Sequence, residues 1–159
     1  MLKIKSLLFL TFSVLLLSCS GDKKTDGTAD SPNGNASAKN ALAENYDPNV
    51  GLGKYKNIDV SNFNAKMADE GKTVFETNCT SCHNLTAEKL VGPGLKGITK
   101  RHTASWIMNF VSNTDAMLKV DPELKKQLEM YGMRMPYQNL DDSQTRAVYE
   151  YLRQNDGAK

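Results

Sequence analysis

The chain has 159 residues, with 20 lysines and arginines against 18 aspartates and glutamates, a net charge of +2. So mild a balance gives no support to nucleic-acid binding, which calls for a concentrated basic surface. The three cysteines each find a separate use below, which leaves none for a disulfide framework.

Residues 1–18 read as a signal peptide, not as part of a fold. Lys3 and Lys5 form a basic start, and Leu7 to Leu17 is an apolar run too short to span a bilayer as a helix. The run ends in Leu16-Leu17-Ser18-Cys19, which resembles a bacterial lipobox. In that motif the peptide is cut before the cysteine, whose thiol then carries lipid. Several acyl chains on Cys19 would anchor the protein stably, because one chain alone is marginal. An ordinary cleaved signal with a leftover cysteine is the alternative. The rest of residues 19–45 is rich in Ser, Gly, Asn, Asp, Ala, Thr and Lys. We read a flexible tether of roughly 28 Å root-mean-square span.

Residues 46–64 contain Pro48, Gly51 and Gly53, which break any long element. Tyr55, Ile58, Val60 and Phe63 suggest an extended segment packed loosely on the domain that follows.

Residues 65–159 suit one small domain. Strand signals are weak and helical periodicity recurs, so the expected class is all-α. The first helix is expected from about Asn64 to Asn78, with Met67, Gly71, Val74 and Phe75 on one stripe. Gly71 lowers helix propensity, and a close crossing by another helix would explain it.

Next comes Cys79-Thr80-Ser81-Cys82-His83, the c-type haem attachment signature. Each thiol adds to one vinyl group of a haem, and the adjacent histidine reaches the iron as proximal ligand. A thioredoxin-like redox pair would sit in a strand-rich setting that is missing here. A zinc site needs four ligands, for which only Cys79, Cys82, His83 and His102 are available. One covalent haem c is the expected cofactor. It would fill the centre of a domain too small to bury a large core of its own.

The following stretch, Val91-Gly92-Pro93-Gly94-Leu95, is a strong turn signal. A backbone carbonyl near Pro93 could hold the second ring nitrogen of His83 and so fix its tautomer. A second helix starts after Thr103, a plausible N-cap, with Trp106, Ile107, Phe110 and Val111 on its buried face. Trp106 could line the haem, donate to a propionate or simply pack in the core. Asp121-Pro122-Glu123 opens a third helix as cap, N1 proline and first-turn acid. Its stripe is Leu124, Leu128 and Tyr131, and Gly132 ends it. The last helix begins after Asp141, with Gln144 completing a capping box and Ala147, Val148, Tyr151 and Leu152 on its apolar face.

Met133-Arg134-Met135-Pro136 lies between the last two helices. A loop thioether suits the second axial position and raises the reduction potential relative to a histidine. Met135 is the first choice and Met133 the second. Met117, in a connection, and His102 are weaker candidates. Met67, Met108 and Met130 are expected to pack in helices.

Together these motifs resemble class I monohaem c-type cytochromes. The order is a helix with Gly71 and Phe75, CTSCH, Gly92-Pro93-Gly94-Leu95, Met135-Pro136, and a terminal helix with Val148 and Tyr151-Leu152. The resemblance implies that the first and last helices cross at Gly71. It also implies that the Pro93 carbonyl holds His83 and that Met135 is the distal ligand. The runs Arg101 to Asn109, Asp121-Pro122 and Met135 to Leu140 look more narrowly like lipoprotein cytochromes of Bacteroidetes-type bacteria, some of them encoded beside nitrous oxide reductase.

The function this implies is electron transfer, not catalysis, between redox partner proteins of a respiratory chain. The protein would be a monomer anchored by lipid in the bacterial cell envelope, with its haem domain in the periplasm. From Lys89 to Thr114 there is no acid, while Lys89, Lys96, Lys100 and Arg101 are present. With Arg134 they could ring the haem edge and steer the domain to an acidic partner, and Arg101 is a candidate for the haem pocket itself. The alternative is a haem peroxidase or gas sensor with an open sixth position. The sequence offers no base-plus-acid pair for peroxide chemistry, since His102 is the only spare histidine.

Overall fold

The structure is a computed structural model that describes residues 43–44 and 46–159. The expected signal peptide, Cys19 and nearly all of the expected tether lie outside the described residues. Among these residues there are helices and no strands. In chain order they are α1 (Ala65–Asn78), α2 (Ile98–Arg101), α3 (Ala104–Ser112), α4 (Thr114–Val120), α5 (Pro122–Tyr131) and α6 (Asp142–Asn155).

Four starts follow from their caps. The side chains of Asn64 and Thr103 accept from Met67 N and Trp106 N. The Asp121 side chain accepts from Glu123 N and Leu124 N. Asp141 and Gln144 form a reciprocal capping box at 2.8 and 3.0 Å. Each such cap contributes about 1 kcal/mol.

α1 and α6 share the largest helix–helix interface. They cross at Gly71, where an added Cβ would fall 1.9 Å from the Ala147 carbonyl oxygen. Only glycine lets the two backbones meet, which answers the helix-propensity cost at that position. Beside the crossing, Phe75 and Tyr151 pack edge to face with centroids 5.5 Å apart.

Two helices differ from the sequence-based expectation. α2 is a single turn opened by Gly97 in the left-handed region (φ 73°) with no side-chain cap. It is tied to the end of α6 by Asp156, which accepts from Gly97 N at 2.6 Å and Thr99 N at 2.9 Å. α4 follows α3 after one residue, again uncapped by a side chain. Met117, expected in a connection, lies within α4 and is fully buried.

Residues 46–64 form a strap across α3 and α6, held more firmly than expected. The Asn109 side chain, itself fully buried, donates to Val50 O and Tyr55 O at 2.9 Å each and accepts from Tyr55 N at 3.0 Å. Gly53 sits so close that a Cβ would fall 2.1 Å from the Asn109 oxygen. Asn113 donates to Leu52 O at 2.9 Å, and the Thr103 hydroxyl donates to Asn49 O. The Tyr55 hydroxyl donates to Asp142 at 2.8 Å. At the far end, Arg153 donates to Val60 O at 2.8 Å and to the buried Glu150 carboxylate at 2.9 Å.

Candidate haem site

Cys79 follows directly from α1, its N–H donating to Phe75 O at 2.8 Å. The chain then makes one more tight turn. Cys82 N and His83 N both donate to Cys79 O, at 3.1 and 2.9 Å. This turn gathers the two cysteines and the histidine on one wall of the domain. Burial, with a smaller contribution from Cys82, pushes the Cys79 thiol up to about 11.

The loop after His83 folds back on that turn. Gly92 N donates to Cys82 O at 2.8 Å and Leu95 N to Asn84 O at 2.8 Å. The Pro93 carbonyl thereby comes 2.9 Å from His83 Nδ1. A carbonyl only accepts, so Nδ1 carries the proton and Nε2 keeps a free lone pair. That is the tautomer and orientation a metal-binding histidine needs.

The wall faces a cavity of about 600 Å³ lined by Cys79, Cys82, His83, Phe110, Leu124, Tyr131 and Met135, among others. A second lobe of about 120 Å³ adds Leu95, Ile98, Trp106, Ile107 and Val148. Cys79, His83, Pro93, Phe110, Gln127 and Met135 border both lobes. The space is large, mostly apolar, and bordered by two thiols and a correctly held imidazole. These features fit a covalently attached haem.

Met135 is half-buried and borders both lobes, whereas Met133 borders only the larger one and is 60% exposed. Leu124, Leu128 and Tyr131 of α5 line the larger lobe. Met130 is not a packing residue, since it is 70% exposed.

Trp106 is buried and borders the smaller lobe, but its N–H is committed away from the cavity. It donates to Asp121 at 3.0 Å and lies 3.3 Å from the Tyr46 hydroxyl, so it has no donor left for a propionate. His102 stacks on its face at 3.8 Å. Arg101 borders the smaller lobe and donates to Lys96 O at 2.6 Å.

Of the basic side chains, Lys89 lies over the Tyr131 ring at 4.7 Å, beside the larger lobe. Arg134 borders that lobe but pairs with Asp115 at 2.6 Å. Lys96 and Lys100 do not border either lobe. A basic rim is therefore present only in part. Sequence reasoning also missed Glu123, which borders the smaller lobe with its carboxylate 3.8 Å from His102 Nε2. The two are far apart in sequence, so only the tertiary fold reveals the pair.

Among the described residues, no three His, Cys, Asp or Glu side chains come together as ligands for a metal ion.

The family model for cytochrome c matches residues 68–156. A curated relative, a cytochrome c-553-like protein of Synechocystis sp., is 31% identical over 65 residues. That match takes in 40% of this chain and 62% of the relative, so less than two thirds of the relative's length is spanned. Among solved structures, a cytochrome c from Rhodothermus marinus is similar with a TM-score of 0.62 and 34% identity, over 74% of this chain and 96% of that one. An engineered form of that cytochrome, bound to a carbene intermediate, gives a TM-score of 0.59 at 33% identity over the same shares.

Proposed function

The chain belongs to the cytochrome c family, and from that premise we propose that it is a single-electron carrier with His83 and Met135 as the axial ligands. Membership brings one covalent haem c, attached at Cys79 and Cys82, within an all-helical fold. Cytochrome c domains typically work outside the cytoplasm and are typically not enzymes.

When bound, the haem supplies an iron that gains or loses one electron. The protein's part is to hold it and tune it. Cys79 and Cys82 fix its position. His83, oriented by Pro93, presents Nε2. The observation that carries the reading is that Met135 borders both lobes of the cavity that Cys79 and His83 also border. A methionine there raises the potential. Apolar neighbours such as Phe110, Leu124 and Ile107 keep water away and disfavour the more highly charged oxidised state.

Partner docking would use the rim of the larger lobe. Leu90, Val91, Leu128 and Met133 are exposed, with Lys89 beside them and Arg134 paired to Asp115. An acidic patch on a redox partner complements such a surface. Electron-transfer rates should fall as salt rises; rates independent of salt would remove the steering idea. The partner we favour is a respiratory oxidase or reductase of the cell envelope, nitrous oxide reductase being one option that the sequence resemblance supports. Lipid at Cys19 would hold the protein there with its haem domain in the periplasm. On that reading, Cys19→Ser moves the protein from the membrane fraction to the soluble fraction.

One observation favours a second reading, a peroxidase or gas sensor. His102 and Glu123 place an imidazole and a carboxylate together beside the smaller lobe. That chemistry requires Met135 to be off the iron. A spectroelectrochemical titration with carbon monoxide mixing decides between them. An electron carrier gives one reversible one-electron wave and slow CO binding. Rapid CO binding with peroxide turnover would establish the second reading.

A further inference from the structure

The strap lies before the span of the family match, which begins at residue 68. It nevertheless joins a buried polar junction beside α5. Tyr46 donates its hydroxyl to Oδ2 of Asp121. Trp106 Nε1 donates to the same oxygen at 3.0 Å. The other oxygen, Oδ1, accepts Glu123 N at 2.7 Å and Leu124 N at 3.0 Å. Asp121 is 3% exposed, so four donors converge on one carboxylate away from water. That carboxylate joins three pieces of chain: the strap, α3 and the first turn of α5.

α5 leads directly to the methionine loop. Its Leu124, Gln127, Leu128 and Tyr131 line the cavity. Its C-cap, Gly132, is left-handed at φ 64° and is followed at once by Met133-Arg134-Met135. The loop has few ties of its own. Gln138 donates to Pro136 O at 2.8 Å within it. Arg134 and Asp115 form a pair that is more than half exposed on both sides, and such pairs hold little. The loop's far end is held by buried Leu140 and the Asp141 cap of α6, and its near end, which carries Met133 and Met135, follows α5, whose N-terminus is fixed by Asp121.

We propose that Tyr46 and Asp121 are positioning residues for the distal methionine: the strap fixes α5 through the Asp121 carboxylate, and α5 sets the loop that presents Met135. This rests on the assignment of Met135 as axial ligand. Removing the Tyr46 hydroxyl deprives Oδ2 of one donor and loosens the first turn of α5. The loop then opens more often while the domain stays folded.

The strap supplies its own control. Tyr55, 7% exposed, donates its hydroxyl to Asp142 at the start of α6. Tyr55→Phe makes the same chemical change on the same strap, at the helix that follows the loop instead of the one that leads into it, so it separates control by α5 from control by α6.

The test uses the full-length, haem-loaded protein as wild type, Tyr46→Phe, Asp121→Asn and Tyr55→Phe. The readouts are the rate of CO binding to the reduced protein, amide exchange over residues 133–139, and Tm. CO must wait for the thioether to leave, so its rate reports loop opening. Tyr46→Phe should speed CO binding about tenfold, the equivalent of one lost hydrogen bond, and speed exchange over residues 133–139. Tyr55→Phe should lower Tm yet keep the wild-type CO rate and loop exchange. Should Asp121→Asn fail to fold, Tyr46→Phe still decides. The proposal is overturned if Tyr46→Phe keeps the wild-type CO rate, or if Tyr55→Phe accelerates it equally. A wild type that binds CO at once would refute the ligand assignment itself, and the proposal would fall with it before any variant is made.

Discussion

Gly92 packs against the ring of His83 so closely that a Cβ at that position would fall 2.5 Å from Cε1 and 3.0 Å from Nδ1. The same glycine donates its N–H to Cys82 O and is followed by Pro93, whose carbonyl holds Nδ1. A single residue without a side chain thus lets the loop lie flat on the imidazole.

Gly92→Ala should tilt the ring and break its bond to Pro93. The cost is expected at about 1–3 kcal/mol, as for other overpacked sites. Thermal melting should register that loss, and the reduction potential of the haem-loaded protein should move with the disturbed histidine. An unchanged potential would mean that the loop does not set the ring.

Asn109 is the main polar fastening between α3 and the strap. Asn109→Leu would leave Val50 O, Tyr55 O and Tyr55 N without the partners they now have. An unsatisfied buried polar group costs about 1–3 kcal/mol, so the combined loss should be among the largest from a single change in α3. Chemical denaturation measures it. A variant with wild-type stability would show that the strap contributes nothing to the fold.

Glu150 is fully buried between Arg146, at 2.7 Å, and Arg153, at 2.9 Å. Arg153 also holds Val60 O and Asn62 O. Glu150→Gln removes the charge that both arginines face, and breaking a buried pair in this way costs about 3–5 kcal/mol. Limited proteolysis between residues 57 and 63 should accelerate as Arg153 is released. Equal cleavage rates in variant and wild type would contradict this role.

Stability should fall in two steps toward acid. His102 is held below its ordinary value of 6.5, because burial disfavours the charged ring more than Glu123 favours it. A group depressed in the fold contributes stability that is complete above its unfolded value and is lost as pH falls through its folded value. For His102 the loss therefore begins below about 6.5. Burial alone would raise Asp121, but hydrogen bonds from Tyr46, Leu124 N, Trp106 and Glu123 N together hold it below its ordinary 3.8. The second loss begins below that value. Melting temperatures across pH, with His102→Gln, check both steps: the variant should flatten the upper one alone. A wild type whose melting temperature is constant from pH 7 to pH 5 would contradict the histidine step.

The parts of this molecule that were legible in the sequence are those coded locally. Thr103, Asp121-Pro122 and Asp141 with Gln144 mark helix starts because each side chain bonds a backbone group two or three residues away. CTSCH is legible for the same reason, since attachment chemistry requires that spacing. α2 and α4 were missed because neither carries a side-chain cap. Gly71 was legible as a cost, and the packing of α6 supplies its reason. The strap's fastening was hidden, because Asn109 reaches it across more than fifty residues of sequence. The same holds for the Trp106 N–H, which the sequence left free for a propionate and the fold commits to Asp121.

The most direct test is the optical spectrum of the oxidised, haem-loaded protein, followed at the weak far-red band of iron–methionine sulfur ligation, in wild type, Met135→Ala and Met133→Ala. The expected result is a band in wild type and in Met133→Ala that disappears in Met135→Ala. A band that survives in Met135→Ala and is lost in Met133→Ala would move the ligand to Met133. A wild type without the band that binds CO rapidly once reduced would contradict the electron-carrier account.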